Sequence, residues 1–570
     1  MRLGSIDVRA ALTRAVPAAG WLPSWRTTLK TDTLAALAVW AVLVPQAMAY
    51  AALAGVSPVR GLYAACAGLL LYALLGTSRQ LNVGPSSGLA ILSAATVAPI
   101  AGGNYDRYLS LTALLAFMVG VVLAAAGLTR LGFVAEFLAK PVLAGYMVGL
   151  ALVILVGQLS SLLGIPSGSG NFFQVAYSVL TNLDNISTWT VAVGLGSLAL
   201  ILILQAVAPR LPASLIVVVA GVLAARALSL SDHGVAELGT ITASAPDVHL
   251  PSISFADIER LFAGALGLSL LAYAESIAAA RAFAAKHRYE VDANRELIAL
   301  GATNIGSSLV QGFAIDASMS RTSVADGAGQ RSQLAGLVNL GLVVVTLAVL
   351  TPFFADLPKA TLAAIVIAAV LPLLKTAGLR RLYRIDKADF TVALVCLAGV
   401  LVLGVLEGIV VAVIASLVAL VYRGFRPEVA VLGRSRSRET DEDIGFRDVS
   451  RHRDVETFPG LVIFRFDQEI FFANATFFRD QIRRLARSTD PPPRAILVDA
   501  TAITHIDTTG LDMLVELDDE LSTERIRLMF ARVKGPVRDI LNRAGLAGRF
   551  GPASFYPTIE SGVAAFVRRD

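Results

Sequence analysis

Two polar stretches interrupt apolar, membrane-length runs at matching places in the two halves of a long hydrophobic region. The first, Asn82-Val83-Gly84-Pro85-Ser86-Ser87-Gly88, opens the short apolar run 89–100. The second, Asp316-Ala317-Ser318-Met319-Ser320-Arg321-Thr322-Ser323, opens an even shorter one. Hydrocarbon offers a backbone no hydrogen bonds, so broken helices survive in a bilayer only where they are buried in protein or line a cavity. Paired breaks in two repeats point to a transporter's substrate site. Arg321 lies inside the second break, and a permanent cation at membrane depth suits an anionic substrate.

The surrounding composition, 55% hydrophobic and 16% charged over 570 residues, belongs to a membrane protein. A helix needs about twenty apolar residues to cross the hydrocarbon core. That measure predicts about fourteen segments, with cores near 33–52, 61–76, 85–99, 110–129, 141–164, 188–208, 212–228, 261–284, 294–312, 318–327, 332–353, 359–375, 388–404 and 406–424. The third and tenth are too short to span, and they are the two that begin with the polar breaks. Their separation predicts two seven-helix halves of opposite orientation, about 31–228 and 259–424, within a transport domain at 31–424.

Loop charges orient this array. With the N-terminus inside, the inner loops hold Arg79, Arg130, Lys140, Arg210, Lys286, Arg288, Arg295, Arg331, Lys375, Arg380, Arg381, Arg384 and Lys387. The outer loops hold only Arg60, Arg107, Arg226, Arg260 and Lys359, an asymmetry that predicts cytoplasmic termini in a cell (inner) membrane. Residues 1–30, with Arg2, Arg9, Arg14, Arg26 and Lys30, read as a cytoplasmic lead-in without a cleavable signal. Cys66 and Cys396 lie in apolar spans and read as inert buried thiols, with no metal site. The net charge of +5 carries no nucleic-acid inference in such a chain.

Several side chains stand out. Gln46 and Tyr50, four apart after Pro45, share a helix face and either present an amide and a ring to a cavity or bond neighbouring helices beside a proline kink. Pro85 suits a first helical turn, and Ser86 and Ser87 suit capping. A helix N-terminus, with its unpaired N–H groups, is a ready anion site, and the same holds for Ser318 and Ser320. Arg321 would add charge and up to five donors, or else pair structurally with Asp326 or Asp316. Glu275, deep in the eighth segment, is expensive to ionise; it could carry a coupling proton, help bind Na⁺ or neutralise Arg321. Asp292, Asn294, Arg295, Glu296 and Asn304 read as loop and capping chemistry, or as a gate.

After Arg423 the composition becomes that of a soluble domain. Residues 425–454 read as a linker, and 455–570 as an α/β domain. Strands are predicted at 461–466, 470–472, 495–499 and 526–530, and helices at 475–487, 511–521 and 536–544. Asp507 and Thr508 sit where a helix cap is wanted, a position that also suits a phosphorylated hydroxyl.

Together these residues resemble the SulP family of anion permeases, also called solute carrier family 26. In the membrane the resemblance rests on Pro45 to Ala51, on Gly84-Pro85-Ser86, on Glu290 to Leu297, and on Ser320-Arg321 followed by Gln333-Leu334-Ala335-Gly336. The tail resembles a STAS domain, with Phe472-Ala473-Asn474-Ala475 and Ile506-Asp507-Thr508-Thr509-Gly510. The resemblance implies core and gate domains, an elevator-like movement and a homodimer. It places a small anion between half-helices three and ten, lined by Gln46, Tyr50, Ser86, Ser87, Ser320 and Arg321. In the anti-sigma-factor antagonists that the tail also resembles, the hydroxyl matching Thr508 is the phosphorylated one, which makes Thr508 a candidate regulatory site and the tail a candidate surface for a cytoplasmic protein partner.

The expected function is uptake of sulfate, bicarbonate or a dicarboxylate coupled to H⁺ or Na⁺, without another cofactor. Anion exchange or channel-like conduction is the alternative. A nucleobase permease fits less well, because a neutral base needs no buried cation. No nucleophile–base pairing suggests an enzyme.

Overall fold

The computed structural model describes residues 23, 25–133, 140–166, 168, 170–208, 211–239, 246–374, 377–436, 443–452, 454–489 and 491–568. Most of the 1–30 segment, with Arg2, Arg9 and Arg14, lies outside the described residues, as do Arg210 and Lys375. The chain divides into two compact units, Met1–Ser416 and Leu417–Asp570.

Among the described residues, the regular structure of the first unit is helical apart from one pair of tiny strands. Its helices are α1 (Trp25–Leu53), α2 (Pro58–Leu75), α3 (Ser87–Ala101), α4 (Tyr105–Leu128), α5 (Lys140–Leu163), α6 (Phe172–Thr181), α7 (Thr188–Val207) and α8 (Ala213–Ala227). The second half holds α9 (Phe255–His287), α10 (Ala293–Leu309), α11 (Met319–Gly327), α12 (Leu334–Val345), α13 (Lys359–Val370), α14 (Ala377–Ile385), α15 (Lys387–Val402) and α16 (Val405–Phe425). Setting aside α6 and α14, fourteen helices among the described residues form the membrane array, in a 7+7 arrangement. Among the described residues, seven helical stretches are long and apolar enough to cross a membrane outright, the last beginning with α13 and continuing into α14. The short α3 and α11 are its third and tenth members. Two stretches expected as plain loops, 165–187 and 376–387, carry α6 and α14.

One bundle gathers α1–α4 with α9–α12, and a second gathers α5, α7, α8, α13 and α15. One close seam in the first lies between α4 and α10. A Cβ built on Gly301 would stand 2.7 Å from the Ala124 nitrogen and 2.8 Å from the Gly120 carbonyl oxygen, so backbone meets backbone there. Membrane helices gain stability from such close approach of small residues. Gly301→Val is therefore expected to cost about 1–3 kcal/mol through overpacking, read as a lower unfolding temperature of the detergent-solubilised protein.

The two breaks meet in space. β1 (Val83–Gly84) pairs antiparallel with β2 (Asp316–Ala317), with Val83 opposite Ala317 and Gly84 opposite Asp316. These two-residue strands give the backbone before each half-helix a partner that lipid could not supply. Residues on both sides hold the pair in place. The Asn304 amide donates to the Ile315 carbonyl and accepts from the Ile315 N–H, both at 2.9 Å. Buried Glu296 accepts from the Tyr72 hydroxyl at 2.7 Å and from the Thr77 N–H at 2.7 Å, fixing the turn that leads to β1. Asp292 caps α10.

In the second unit a six-stranded sheet has the order β4-β3-β5-β6-β7-β8. Its strands are β3 (Val429–Arg436), β4 (Asp443–Asp448), β5 (Leu461–Phe466), β6 (Ala495–Asp499), β7 (Arg527–Ala531) and β8 (Phe555–Tyr556). β5 to β8 run parallel, and β3 pairs antiparallel with both β4 and β5. The stretch read as a linker, 425–454, thus supplies two strands, with β4 at the edge of the sheet, where charges such as Arg447 and Asp448 are tolerated. The strand expected at 470–472 reduces to a single bridge between Ile470 and Ile506.

Apolar cores lie on both faces of this sheet. Its helices include α17 (Ala475–Ser488), α18 (Thr508–Thr523), α19 (Gly535–Arg543), α20 (Leu546–Phe550) and α21 (Ile559–Val567). Asp507 caps α18 by accepting from the Gly510 N–H at 2.7 Å, while its other oxygen accepts from the Phe472 N–H at 2.7 Å. Asp507→Ala removes both bonds and should destabilise the start of α18 by about 1–2 kcal/mol. Faster amide exchange at Gly510 and Phe472 in the full-length protein is the expected signature.

Candidate functional site

Arg321 organises the site. It sits in the first turn of α11, behind the cap Ser318, whose hydroxyl oxygen accepts from the Arg321 N–H at 3.3 Å. Its side chain is fully buried and reaches across to the other half-helix. Nε donates to Asn82 Oδ1 at 2.9 Å, and Nη1 donates to the Pro85 carbonyl at 2.7 Å and more weakly to Gln46 Oε1 at 3.5 Å. Nη2 is buried with no hydrogen-bond partner.

The guanidinium thus braces the loop before α3 with two nitrogens and keeps the third uncommitted. The structural pairing with Asp326 does not form, because Asp326 instead meets Lys286 at 2.6 Å and His287 at 2.5 Å. Nor does Asp316 come within ion-pair distance of Arg321, although it is a charged neighbour.

The first half-helix is built differently from expectation. α3 begins at Ser87, so Pro85 lies one residue ahead of the cap position rather than in the first turn. Ser86 occupies that cap position but makes no capping bond; its hydroxyl is buried and unpartnered. Proline fixes the chain direction there, and its carbonyl, free of helix bonding, becomes the acceptor for Arg321. Ser87 is half-buried beside Tyr50, which also neighbours Arg321 and Asp316. Gln46 and Tyr50 are buried on one face of α1. The structure therefore brings Gln46, Tyr50, Ser86, Ser87 and Arg321 together. Ser318 and Ser320 join hydroxyls at 3.0 Å at the N-terminus of α11, with Ser320 more exposed than the rest.

Glu275, on α9, lies against Asp316, and its Oε1 stands 3.8 Å from where a Gly88 Cβ would be. Asp316 is fully buried, and both its carboxyl oxygens lack a hydrogen-bond partner; Ser86 and Glu275 flank it. Such orphaned buried oxygens are costly, and they mark places where a proton, ion or ligand belongs.

Sequence reasoning treated Asp316 only as a partner for Arg321 and missed its pairing with Glu275. The signal was there in part: Asp316 is the sole acid of the second break. Asn82 was read only as part of the polar run, yet its backbone and side chain bond Thr322, Ser318 and Arg321. Tyr146 on α5 was missed outright. It is fully buried with an unpartnered hydroxyl, and Glu275 and Asp316 are among its nearest ionisable neighbours.

The model of the sulfate permease family matches residues 29–396, most of the chain. The chain belongs to that family. A STAS domain model matches residues 452–562 of this permease. A probable sulfate transporter of Mycobacterium tuberculosis is 38% identical over 561 residues, covering 97% of this chain and 99% of its own. Sulfate transporter 4.1, chloroplastic, of Arabidopsis thaliana is 30% identical, covering 95% and 80%.

Among solved structures, the murine Slc26a9 anion transporter superposes with a TM-score of 0.88 at 24% identity, over 100% of this chain and 96% of that one. The transmembrane domain of the cyanobacterial bicarbonate transporter BicA superposes at 0.61 over 68% of this chain and 97% of its own. The permease is a multi-pass membrane anion transporter and not an enzyme, with a helical membrane domain and an α/β STAS domain.

Proposed function

We propose that this permease accumulates a small oxyanion, sulfate first, by coupling its entry to a cation. The observation that carries the reading is the uncommitted Nη2 of Arg321, buried where the N-termini of α3 and α11 meet. Unpaired N–H groups from two helix ends and one guanidinium can replace much of an anion's hydration shell. In this reading Gln46, Tyr50, Ser86, Ser87, Ser318 and Ser320 supply the remaining polar surface. Sulfate is favoured because the related transporters from Mycobacterium and Arabidopsis bear that name.

Glu275 and Asp316 supply the coupling. Two adjacent carboxylates cannot both hold a charge cheaply in a water-poor site, so one of them takes a proton or shares a Na⁺. All these residues sit on the bundle formed by α1–α4 and α9–α12, which would carry the anion past the second bundle in an elevator-like movement. The protein would work as a homodimer in the cell membrane, with both termini in the cytoplasm. Thr508, exposed at the start of α18, would then be open to a cytoplasmic kinase or partner protein.

Labelled sulfate uptake into proteoliposomes tests this directly. An inward proton or Na⁺ gradient should drive accumulation above the equilibrium level, and the gradient that does so names the ion. Uptake that depends only on trans anion, with no response to either gradient, would replace coupling by exchange.

A further inference from the structure

The short helix α14 lies between two membrane helices, α13 and α15, and carries the most sharply divided surface in the first unit. Arg380, Arg381 and Arg384 fall at i, i+1 and i+4 and share one face, spanning about 100° of the helix. Leu379, Leu382 and Tyr383 take the opposite face. The leucines are half-buried, and the Tyr383 ring packs edge-on against Phe390 of α15 at 5.2 Å. Tyr383 and Ile385 nevertheless remain 56% and 70% exposed. All three arginines are exposed, and none makes an ion pair or side-chain hydrogen bond among the described residues.

Nearby acids do not answer this charge. Asp386 is occupied in capping α15, accepting from the Ala388 and Asp389 N–H groups. Four cations, Arg380, Arg381, Arg384 and Lys387, stand against two carboxylates, Asp386 and Asp389. A helix with three arginines in nine residues cannot lie in hydrocarbon, and its place between two membrane helices keeps it close to the bilayer. Leu379, Leu382 and an aromatic ring on one side with guanidinium groups on the other is the pattern of a helix lying in the headgroup plane.

We propose that α14 rests on the bilayer surface and that Arg380, Arg381 and Arg384 hold the phosphates of anionic lipid headgroups. Guanidinium matches a phosphate bidentately, and each basic residue at a negatively charged surface adds to the attraction. This lipid site is separate from the Arg321 site and does not depend on which anion is carried.

The test uses full-length protein in bilayers mixing phosphatidylcholine with phosphatidylglycerol, then native mass spectrometry of the lipids retained on mild extraction. The wild type should retain phosphatidylglycerol in preference to phosphatidylcholine, less so in 0.5 M salt. Each arginine replaced by glutamine should lower that preference roughly fivefold. The combined variant Arg380→Gln, Arg381→Gln, Arg384→Gln should lose it, whereas the corresponding three lysine substitutions keep most of it. Should the triple variant misfold, the single variants and the salt series still decide. Unchanged phosphatidylglycerol retention in the glutamine variants overturns the proposal. So does a photoreactive residue at position 383 that captures a protein, or a second copy of this chain, in place of lipid.

Discussion

Arg321→Ala should weaken sulfate binding by roughly 30- to 150-fold, the equivalent of about 2–3 kcal/mol for removing one charge-assisted hydrogen bond from a buried site. The weakening has two sources. Nη2 no longer meets the anion, and Asn82 Oδ1 and the Pro85 carbonyl are deprived of the donors that hold the loop before α3. Arg321→Lys separates these sources. A lysine keeps the charge but cannot reach Asn82, Pro85 and the anion at once, so it should restore only part of the affinity. Equilibrium binding of labelled sulfate in detergent, alongside the unfolding temperature, reads both effects. Wild-type affinity in a well-folded Arg321→Ala protein would remove this residue from the site.

Glu275→Gln should abolish gradient-driven accumulation, lowering it at least tenfold toward the passive level, while sulfate counterflow across the same liposomes persists. The split matters because a residue that merely shaped the cavity would impair both. Asp316→Asn should act in the same direction, since the two carboxyl groups are neighbours and neither oxygen of Asp316 has a hydrogen-bond partner. The dependence of accumulation on external pH or Na⁺ should flatten in both variants. Accumulation that survives in Glu275→Gln would end the coupling role of this pair.

What was readable in advance follows a physical rule. Glu275 and Arg321 were visible because a charge in an apolar run has no ordinary explanation, and Ser318 because a capping hydroxyl has a fixed offset from its helix. The fourteen membrane segments were visible from length and hydropathy alone. β1 and β2 were not, since two residues carry no periodicity and their pairing spans the whole chain between the breaks. Tyr146 sits in a run of apolar neighbours on α5, where a tyrosine looks like packing. The 429–448 region misled because β4, at the sheet's edge, needs no apolar alternation to form, and β3 ends in Arg434-Ser435-Arg436, which reads as loop.

The β1–β2 pairing has a consequence for biogenesis. Val83 and Ala317 are 234 residues apart, and Arg321 lies further still from the ribosome's starting point. At about 5–20 residues per second, some 10–50 seconds separate synthesis of the first break from that of its partner. Through that interval Asn82 to Ser86 have neither their strand nor their guanidinium, yet their backbone cannot rest against lipid. The newly made first half must therefore wait in a wet or assisted setting, and the membrane domain can close only when its second half arrives.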